Sequence, residues 1–561
     1  MVNEMQYSLP QHVRRAFDTN VELWGAEKRV GRVWAKDASV WTGTDEADWL
    51  GWLTIVEEEN TKIADYLALQ KDIEHGAFTD VLLMGMGGSS LCPEVLAITF
   101  GKRHFHILDS TSPTQIAAVE SRLDLRRTLF IVASKSGSTL EPNCFKQYFF
   151  ERVSQLVGRE NAGQQFIAIT DPGSKMEQVA IGDGFLHVFY GKPSIGGRFS
   201  ALSAFGLTAA AAMGLDVAKF LRNTSPMIDA CKNARIADNP GAELGLFLGT
   251  CQRNGRDKVT IFTSPEIYDL GAWLEQLVAE STGKSGIALI PVDREPLEPT
   301  AKYGGDRIFA FIRMKGDRSY DEKITELTVA GHPVVQIRLD SKETLGQEFF
   351  RWEFATAVAG SIMGINPFNQ PDVEAAKIEA RKLTEEYEKD GHFPDEEPFF
   401  SSDGYKLFSD EGYGNKLLSK VSEPEIAALL WAHFDSLGEG DYFALLAFIE
   451  MNAEHERLLQ KLREKVLNQH KVATCLGFGP RFLHSTGQAY KGGANNGVFL
   501  QITCDDAIDL PVPYQKYTFG VVREAQARGD LQVLIDRGRR ALRVHLPGDT
   551  KRALDHLVSI T

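Results

Sequence analysis

The 561-residue chain has only six cysteines: Cys92, Cys144, Cys231, Cys251, Cys475 and Cys504. They are scattered, with no Cys-x-x-Cys pair among them, which excludes a disulfide framework and the common zinc sites. No apolar run reaches the roughly 18 residues that a membrane span needs, and residues 1–10 lack the apolar stretch of a secretory leader. A basic stripe is missing as well. With a formal charge of −15, the chain is not a general nucleic-acid binder. The expectation is a cytoplasmic protein with neither a membrane nor a nucleic acid as partner. An anionic small substrate remains compatible, because a local pocket can oppose the global field.

What is present is ordinary for a globular protein: 43% hydrophobic and 24% charged residues. The length exceeds what one core supports. Residues 1–60 have a helical pattern rich in tryptophan and read as an N-terminal wrap. From about residue 78, short apolar runs alternate with helical stretches, with candidate strands at 81–84, 105–108, 129–132, 166–169 and 186–189. That rhythm predicts a doubly wound parallel sheet. A long helical segment, 201–236, follows.

The rhythm restarts with candidate strands at 259–262, 287–292, 308–312 and 334–339. Residues 345–363 read as a helix. Residues 378–425 are charged, with little periodicity, and read as a boundary segment. Beyond them, 425–436 and 442–466 read as helices leading into a third sheet-like piece, 473–560. The expected fold class is α/β: two doubly wound parallel sheets plus an additional C-terminal α/β domain. The expected boundaries are 1–60, 61–236, 237–378 and 379–561.

One stretch carries the strongest chemical signal. The apolar run 129–133 stops at Ser134-Lys135-Ser136-Gly137-Ser138-Thr139, and Glu141 and Pro142 then open a helical pattern. A buried strand, a hydroxyl-rich turn and a helix N-terminus converge on one point, which suits a phosphate dianion. After the first strand comes Gly85-Met86-Gly87-Gly88-Ser89-Ser90. Its glycines let backbone approach a ligand closely, but a dinucleotide fingerprint needs glycine where Ser90 stands. Gly283-Lys284-Ser285 is not a Walker A motif, because Val278 occupies its first glycine position and the segment follows a helix.

Gly196-Gly197-Arg198 pairs room for a ligand with a permanent cation suited to developing negative charge. Glu280 falls in the last turn of a helix ahead of Gly283. Gln370 and Lys377 stand seven apart around a helix start, a spacing that places them on one face.

Taken together, these segments resemble the phosphoglucose isomerase family, built on sugar-isomerase (SIS) domains. The matching pieces are 85–93, 134–141, 196–200, 280–284 and 370–377, in the family's order. Beyond residue 378, Gly479-Pro480-Arg481-Phe482-Leu483-His484-Ser485-Thr486-Gly487-Gln488 is similar to the isomerase half of bifunctional transaldolase/phosphoglucose isomerases.

The resemblance implies interconversion of glucose 6-phosphate and fructose 6-phosphate through a cis-enediol, a step of glycolysis and gluconeogenesis, with no cofactor and no metal. It implies that Ser134, Lys135, Ser136 and Thr139 hold the phosphate, with Glu141 in support. Gly88, Ser89 and Gly197 would line the sugar. Arg198 would stabilise the enediolate, and Glu280 would move the proton. Gln370 and Lys377 would sit near the ring oxygen and hydroxyls. A phosphosugar is the expected partner; a homodimer and a transaldolase module are further candidates.

The family's ring-opening histidine is not at its usual place. Leu327 and Glu326 stand six and seven residues before Pro333, while His332 adjoins the proline and reads as structural. His484 in the C-terminal piece is the candidate replacement, acting in cis or across a dimer. The alternatives are a dual phosphoglucose/phosphomannose isomerase and a non-catalytic phosphosugar sensor. The sensor is disfavoured because both Glu280 and Arg198 are present.

Overall fold

A computed structural model describes all residues 1–561. It divides the chain into two compact units. The first comprises Met1–Asp109, Val119–Thr282 and Ile308–Asn369; the second comprises Ser110–Ala118, Gly283–Arg307 and Gln370–Thr561.

The first unit contains a five-stranded parallel sheet in the order Phe105–Leu108, Asp80–Gly85, Thr128–Ala133, Phe166–Thr170, His187–Tyr190. Thr128–Ala133 and Phe166–Thr170 are buried along their whole length, which explains why they read as continuous apolar runs rather than alternating ones. The chain leaves Asp80–Gly85 toward one side and Thr128–Ala133 toward the other. The crevice at their carboxyl ends is therefore a topological switch point, the usual ligand position in such sheets.

A second sheet in this unit runs Glu4–Ser8, Val334–Leu339, Arg307–Met314, Lys258–Thr263. Glu4–Ser8 pairs antiparallel with Val334–Leu339, which is parallel to Arg307–Met314. The N-terminal sixty residues are thus mainly helical but open with an edge strand. The expected long helix over 201–236 is two helices, Ala204–Ala212 and Val217–Cys231, separated by Gly214 at φ 75° and capped anew by Asp216, whose side chain accepts from the Lys219 N–H.

The second unit is built on a mixed sheet in the order Phe400–Ser402, Tyr405–Phe408, Arg540–Leu546, Gly497–Cys504, Tyr442–Phe448, Ala473–Phe478. Its last four strands are parallel, and the first two join antiparallel. Two expectations are corrected here. Residues 442–466 are not one helix: Tyr442–Phe448 is a central strand and the helix is Ala453–His470. Every residue of that strand is buried, so its run lacks the alternation that distinguishes a strand from a buried helix. The 378–425 segment is not irregular either. It holds the end of the Val373–Asp390 helix, a hairpin and the Glu411–Leu418 helix.

On one face of this sheet, the Val373–Asp390 helix packs on Phe519–Asp536. A Cβ at Gly529 would lie 2.9 Å from the Ala380 nitrogen, so the two helices meet backbone to backbone. The sheet's Ala473–Phe478 edge is met by a buried carboxylate. Glu295 Oε1 accepts from the Thr474 N–H (2.8 Å) and hydroxyl (2.9 Å). Arg307 grips the same carboxylate through Nη1–Oε2 at 2.8 Å and Nη2–Oε1 at 3.1 Å, with both side chains fully buried.

Removing one partner of such a pair leaves a buried charge without its counter-ion, at about 3–5 kcal/mol. Glu295→Ala is expected to lower the urea midpoint accordingly, and the double apolar substitution Glu295→Met with Arg307→Met to recover only part of the loss, because the buried Thr474 N–H stays without its acceptor. A Glu295→Ala midpoint equal to wild type would contradict this account.

Candidate functional site

At the switch point of the first sheet two loops stand side by side. After Asp80–Gly85 the chain makes a tight turn, Gly87–Ser89, with Gly87 at φ 55°. This turn packs against a second one, Gly197–Phe199. A Cβ at Gly88 would lie 2.0 Å from the Gly197 carbonyl oxygen, so only glycine permits this contact. Ser200 Oγ donates to the Gly197 carbonyl at 2.6 Å and holds that turn closed.

After Thr128–Ala133, residues 134–139 form the hydroxyl-rich loop. The next strand fixes its base: Ser134 N donates to Ile169 O at 3.0 Å, and Thr170 Oγ1 donates to Ser134 O at 2.7 Å. Asn143 Nδ2 reaches back to the Thr139 carbonyl at 2.9 Å and the Gly137 carbonyl at 3.2 Å. Ser136 and Ser138 share a 2.8 Å hydroxyl contact and are exposed. Thr139 occupies the N-cap position of the Leu140–Val157 helix, but its side chain makes no capping bond. Ser134 Oγ is buried and has no hydrogen-bond partner, a cost that a bound polar ligand would remove. The loop thus sets hydroxyls beside a helix N-terminus, a combination chemically able to hold an anion.

Lys135 is ion-paired with Asp171 and lies within 3.4 Å of the Pro193 carbonyl. Its charge is already matched inside the loop. Glu141 is buried in the first helical turn.

Arg198 is almost wholly buried, at 1% exposure. Its guanidinium binds two segments, the end of the Leu270–Thr282 helix and the 366–369 loop. Nε donates to Ser281 Oγ at 2.7 Å, and Nη2 donates to the carbonyls of Pro367 at 2.7 Å and Asn369 at 3.1 Å. Nη1 lies 3.3 Å from Glu280 Oε1. Burial pulls the Arg198 pKa down, and the Glu280 charge opposes that shift. Glu280 sits in the last turn of Leu270–Thr282, and Gln276, one turn earlier, donates to its Oε2 at 3.0 Å. Both carboxylate oxygens thus have a fixed partner. The helix carrying Glu280 packs against both glycine turns, so the fold brings Gly88, Gly197, Arg198 and Glu280 together. Ser89 completes the Gly87–Ser89 turn.

Gln370, Lys377 and His484 belong to the second unit. The helix begins at Val373, so Gln370 precedes it, and the expectation of two full helical turns between Gln370 and Lys377 is corrected. Pro371 is the reason, since the residue before proline is steered away from helical backbone. Lys377 Nζ is 3.1 Å from Glu374 one turn earlier and partly exposed. His484 is half-buried in the Arg481–His484 turn, which packs against the Val373–Asp390 helix. His332 is buried edge-on to Phe309 at 5.1 Å, in keeping with a structural role. Sequence reasoning missed Asn143, Thr170, Asp171 and Gln276. Of these, only Gln276, one helical turn before Glu280, carried a spacing signal.

Two doubly wound parallel sheets with a hydroxyl-lined loop at the switch point define a sugar-isomerase (SIS) fold in the first unit. A hypothetical protein of Thermus thermophilus, known from its crystal structure, shares this architecture with a TM-score of 0.58, over 67% of this chain and 99% of its own, at 23% identity. Residues 69–290 match the phosphoglucose isomerase family model. Glucose-6-phosphate isomerase of Parasynechococcus marenigrum is 32% identical over 350 residues, 54% of this chain and 63% of its own length. The enzyme of that name from Gloeothece citriformis is 31% identical over 366 residues, 55% of this chain and 66% of its own. The chain thus spans just under two thirds of the relatives it matches. No helix is long and apolar enough to cross a membrane.

Gly137 is the loop's conformational hinge, at φ 68°, and an added Cβ would meet the Met176 nitrogen at 2.3 Å. Left-handed backbone alone costs a non-glycine residue roughly 1–2 kcal/mol. Gly137→Ala should lower the urea midpoint by at least that equivalent. A midpoint equal to wild type would show that the loop does not need this conformation.

Proposed function

We propose that this chain interconverts glucose 6-phosphate and fructose 6-phosphate through a cis-enediol, with Glu280 as the base. The observation that carries the reading is the buried Arg198–Glu280 pair, 3.3 Å apart, on the unit that also holds the 134–139 loop. The names of the relatives support the substrate pair.

In this reading the phosphate sits on the Leu140–Val157 N-terminus, held by Ser134, Ser136 and Thr139. Lys135, with Asp171 as its counter-ion, shapes the loop and adds little net charge. Gly88, Ser89 and Gly197 line the sugar, because glycine backbone lets it approach. Glu280 takes the C2 proton of the open-chain aldose. Arg198 then balances the negative charge that grows on the enediolate oxygens, and Glu280 returns the proton to C1. Gln276 and Arg198 hold the carboxylate in one orientation throughout, so a single group serves both carbons. Gln370 and Lys377 serve the ring oxygen and hydroxyls, and His484 opens the ring. A homodimer and a linked transaldolase module remain part of this proposal, as do a cytoplasmic setting and the four-part division at residues 60, 236 and 378.

Feeding purified protein fructose 6-phosphate and coupling glucose 6-phosphate to NADPH formation tests the reading, with mannose 6-phosphate in parallel to reveal dual activity. General-base catalysis contributes about 10²–10⁴-fold. Glu280→Gln should therefore lower kcat by at least two orders of magnitude and leave KM within a few-fold; full activity refutes the base. His484→Ala should slow closed-ring substrate more than open-chain substrate, and equal wild-type rates on both would remove His484 from the site.

A further inference from the structure

The Val373–Asp390 helix begins without a side-chain cap of its own: Asp372 holds helical backbone and makes no capping bond. Helix N-termini leave several backbone N–H groups unpaired, and this one lies in a closely packed part of the second unit. Gln488, fully buried in the Gly487–Gly492 turn of helix, supplies what is missing. Its Oε1 accepts from the Asp372 N–H at 3.0 Å and the Val373 N–H at 3.1 Å. Its Nε2 donates to Asp372 Oδ2 at 2.7 Å and to the Gly283 carbonyl at 2.8 Å. Two lone pairs and two N–H bonds are all that a carboxamide offers, and each is used.

We propose that Gln488 is a positioning residue for Gln370 and Lys377, clamping the start of the helix that follows Gln370 and carries Lys377. The assignment rests on the function proposed above. No other side chain meets the same demands: glutamate cannot donate when ionised, leucine offers nothing, and asparagine is one methylene short.

The surroundings are built for this clamp. Arg537 Nη1 holds the other oxygen of Asp372 at 2.5 Å. A Cβ on Gly283 would lie 2.2 Å from Ala489 Cα. One on Gly492 would lie 2.3 Å from Asp372 Oδ2 and 2.5 Å from the Gly283 carbonyl. The backbone therefore approaches closely at both Gly283 and Gly492, beside the four hydrogen bonds that hold the Gln488 amide. Gln370 and Lys377 stand two residues before Asp372 and four after Val373. A shift at this junction moves both, and misplacement of reacting groups by about 1 Å can cost on the order of 10²-fold in rate.

The test compares wild type, Gln488→Leu and Gln488→Glu with fructose 6-phosphate as substrate, alongside hydrogen exchange of the 370–378 amides. Gln488→Leu should lower kcat about 10- to 100-fold, with KM within about threefold, and should speed exchange at Asp372 and Val373 at least tenfold. Gln488→Glu keeps an acceptor for both N–H groups, loses the donation to the Gly283 carbonyl, and faces Asp372 Oδ2 as a second carboxylate, which it can meet only by sharing a proton. It should show slow exchange at those two amides and an intermediate kcat. Unchanged kcat in both variants overturns the assignment, as does a loss confined to KM. If Gln488→Leu does not fold, the kcat and exchange of Gln488→Glu decide. A wild type that turns over no fructose 6-phosphate overturns the functional reading and this assignment with it. Turnover by wild type with unaltered variants overturns this assignment alone.

Discussion

The Arg198–Glu280 pair is the constraint around which the first unit's site is arranged. A guanidinium cannot shed its charge, and burying it requires compensation from every side. The compensation comes from the Ser281 hydroxyl, the Pro367 and Asn369 carbonyls and the Glu280 carboxylate. Those partners lie on two separate stretches of chain, so one side chain registers the Leu270–Thr282 helix against the 366–369 loop. Asn366 stiffens that loop in turn: its Oδ1 accepts from the Phe368 N–H at 2.9 Å, and its Nδ2 donates to Asp45 at 2.7 Å. The arrangement is expensive in desolvation, and well-packed apolar residues would often be as stable. Its value lies in holding a cation beside a carboxylate with neither free to turn away.

Glycine serves a complementary purpose on the other side of the pair. Gly88 and Gly197 touch backbone to backbone, which leaves peptide rather than side chain facing the crevice. A site for a polyhydroxylated ligand benefits, because peptide groups donate and accept without rotamer entropy. The 134–139 loop follows the same economy. Its base is fixed by backbone bonds to the neighbouring strand and by Asn143, and one hydroxyl, Ser136 Oγ, tightens it by accepting from the Ser138 N–H at 3.3 Å.

Much of this was legible in the chain. The abrupt change from an apolar run to serine, lysine and serine at residues 133–134 marks the end of the Thr128–Ala133 strand and the turn into the Leu140–Val157 helix. The glycine turns and the Glu280 helix were readable on similar grounds. What stayed hidden depended on long-range pairing. Asp171 lies 36 residues from Lys135, and nothing local announces that it neutralises that lysine. Tyr442–Phe448 is apolar at every position, so periodicity could not separate strand from helix. The Gln370–Lys377 spacing suggested one helical face, yet Pro371 delays the helix to Val373. Gln488 sat inside a motif noted for its histidine, and its importance emerges only from four hydrogen bonds to residues more than a hundred positions away.

The second unit uses buried polar groups in the same manner, as connectors rather than as ballast. Glu295 ties the edge strand at Thr474 to Arg307. Lys491 and Asp530, both buried, join the short Gly487–Gly492 helix to Phe519–Asp536 at 2.6 Å. Gln501 reaches that aspartate from the Gly497–Cys504 strand at 3.2 Å. Each connector links elements that hydrophobic packing alone would let slide, since apolar contacts are non-directional while charge-assisted hydrogen bonds specify geometry. A helix that must present a lysine at a fixed height needs such directional fastening at its first turn, where its own backbone has no internal partners. The carboxamide of Gln488 meets that need without adding charge, which a carboxylate beside Asp372 could not do.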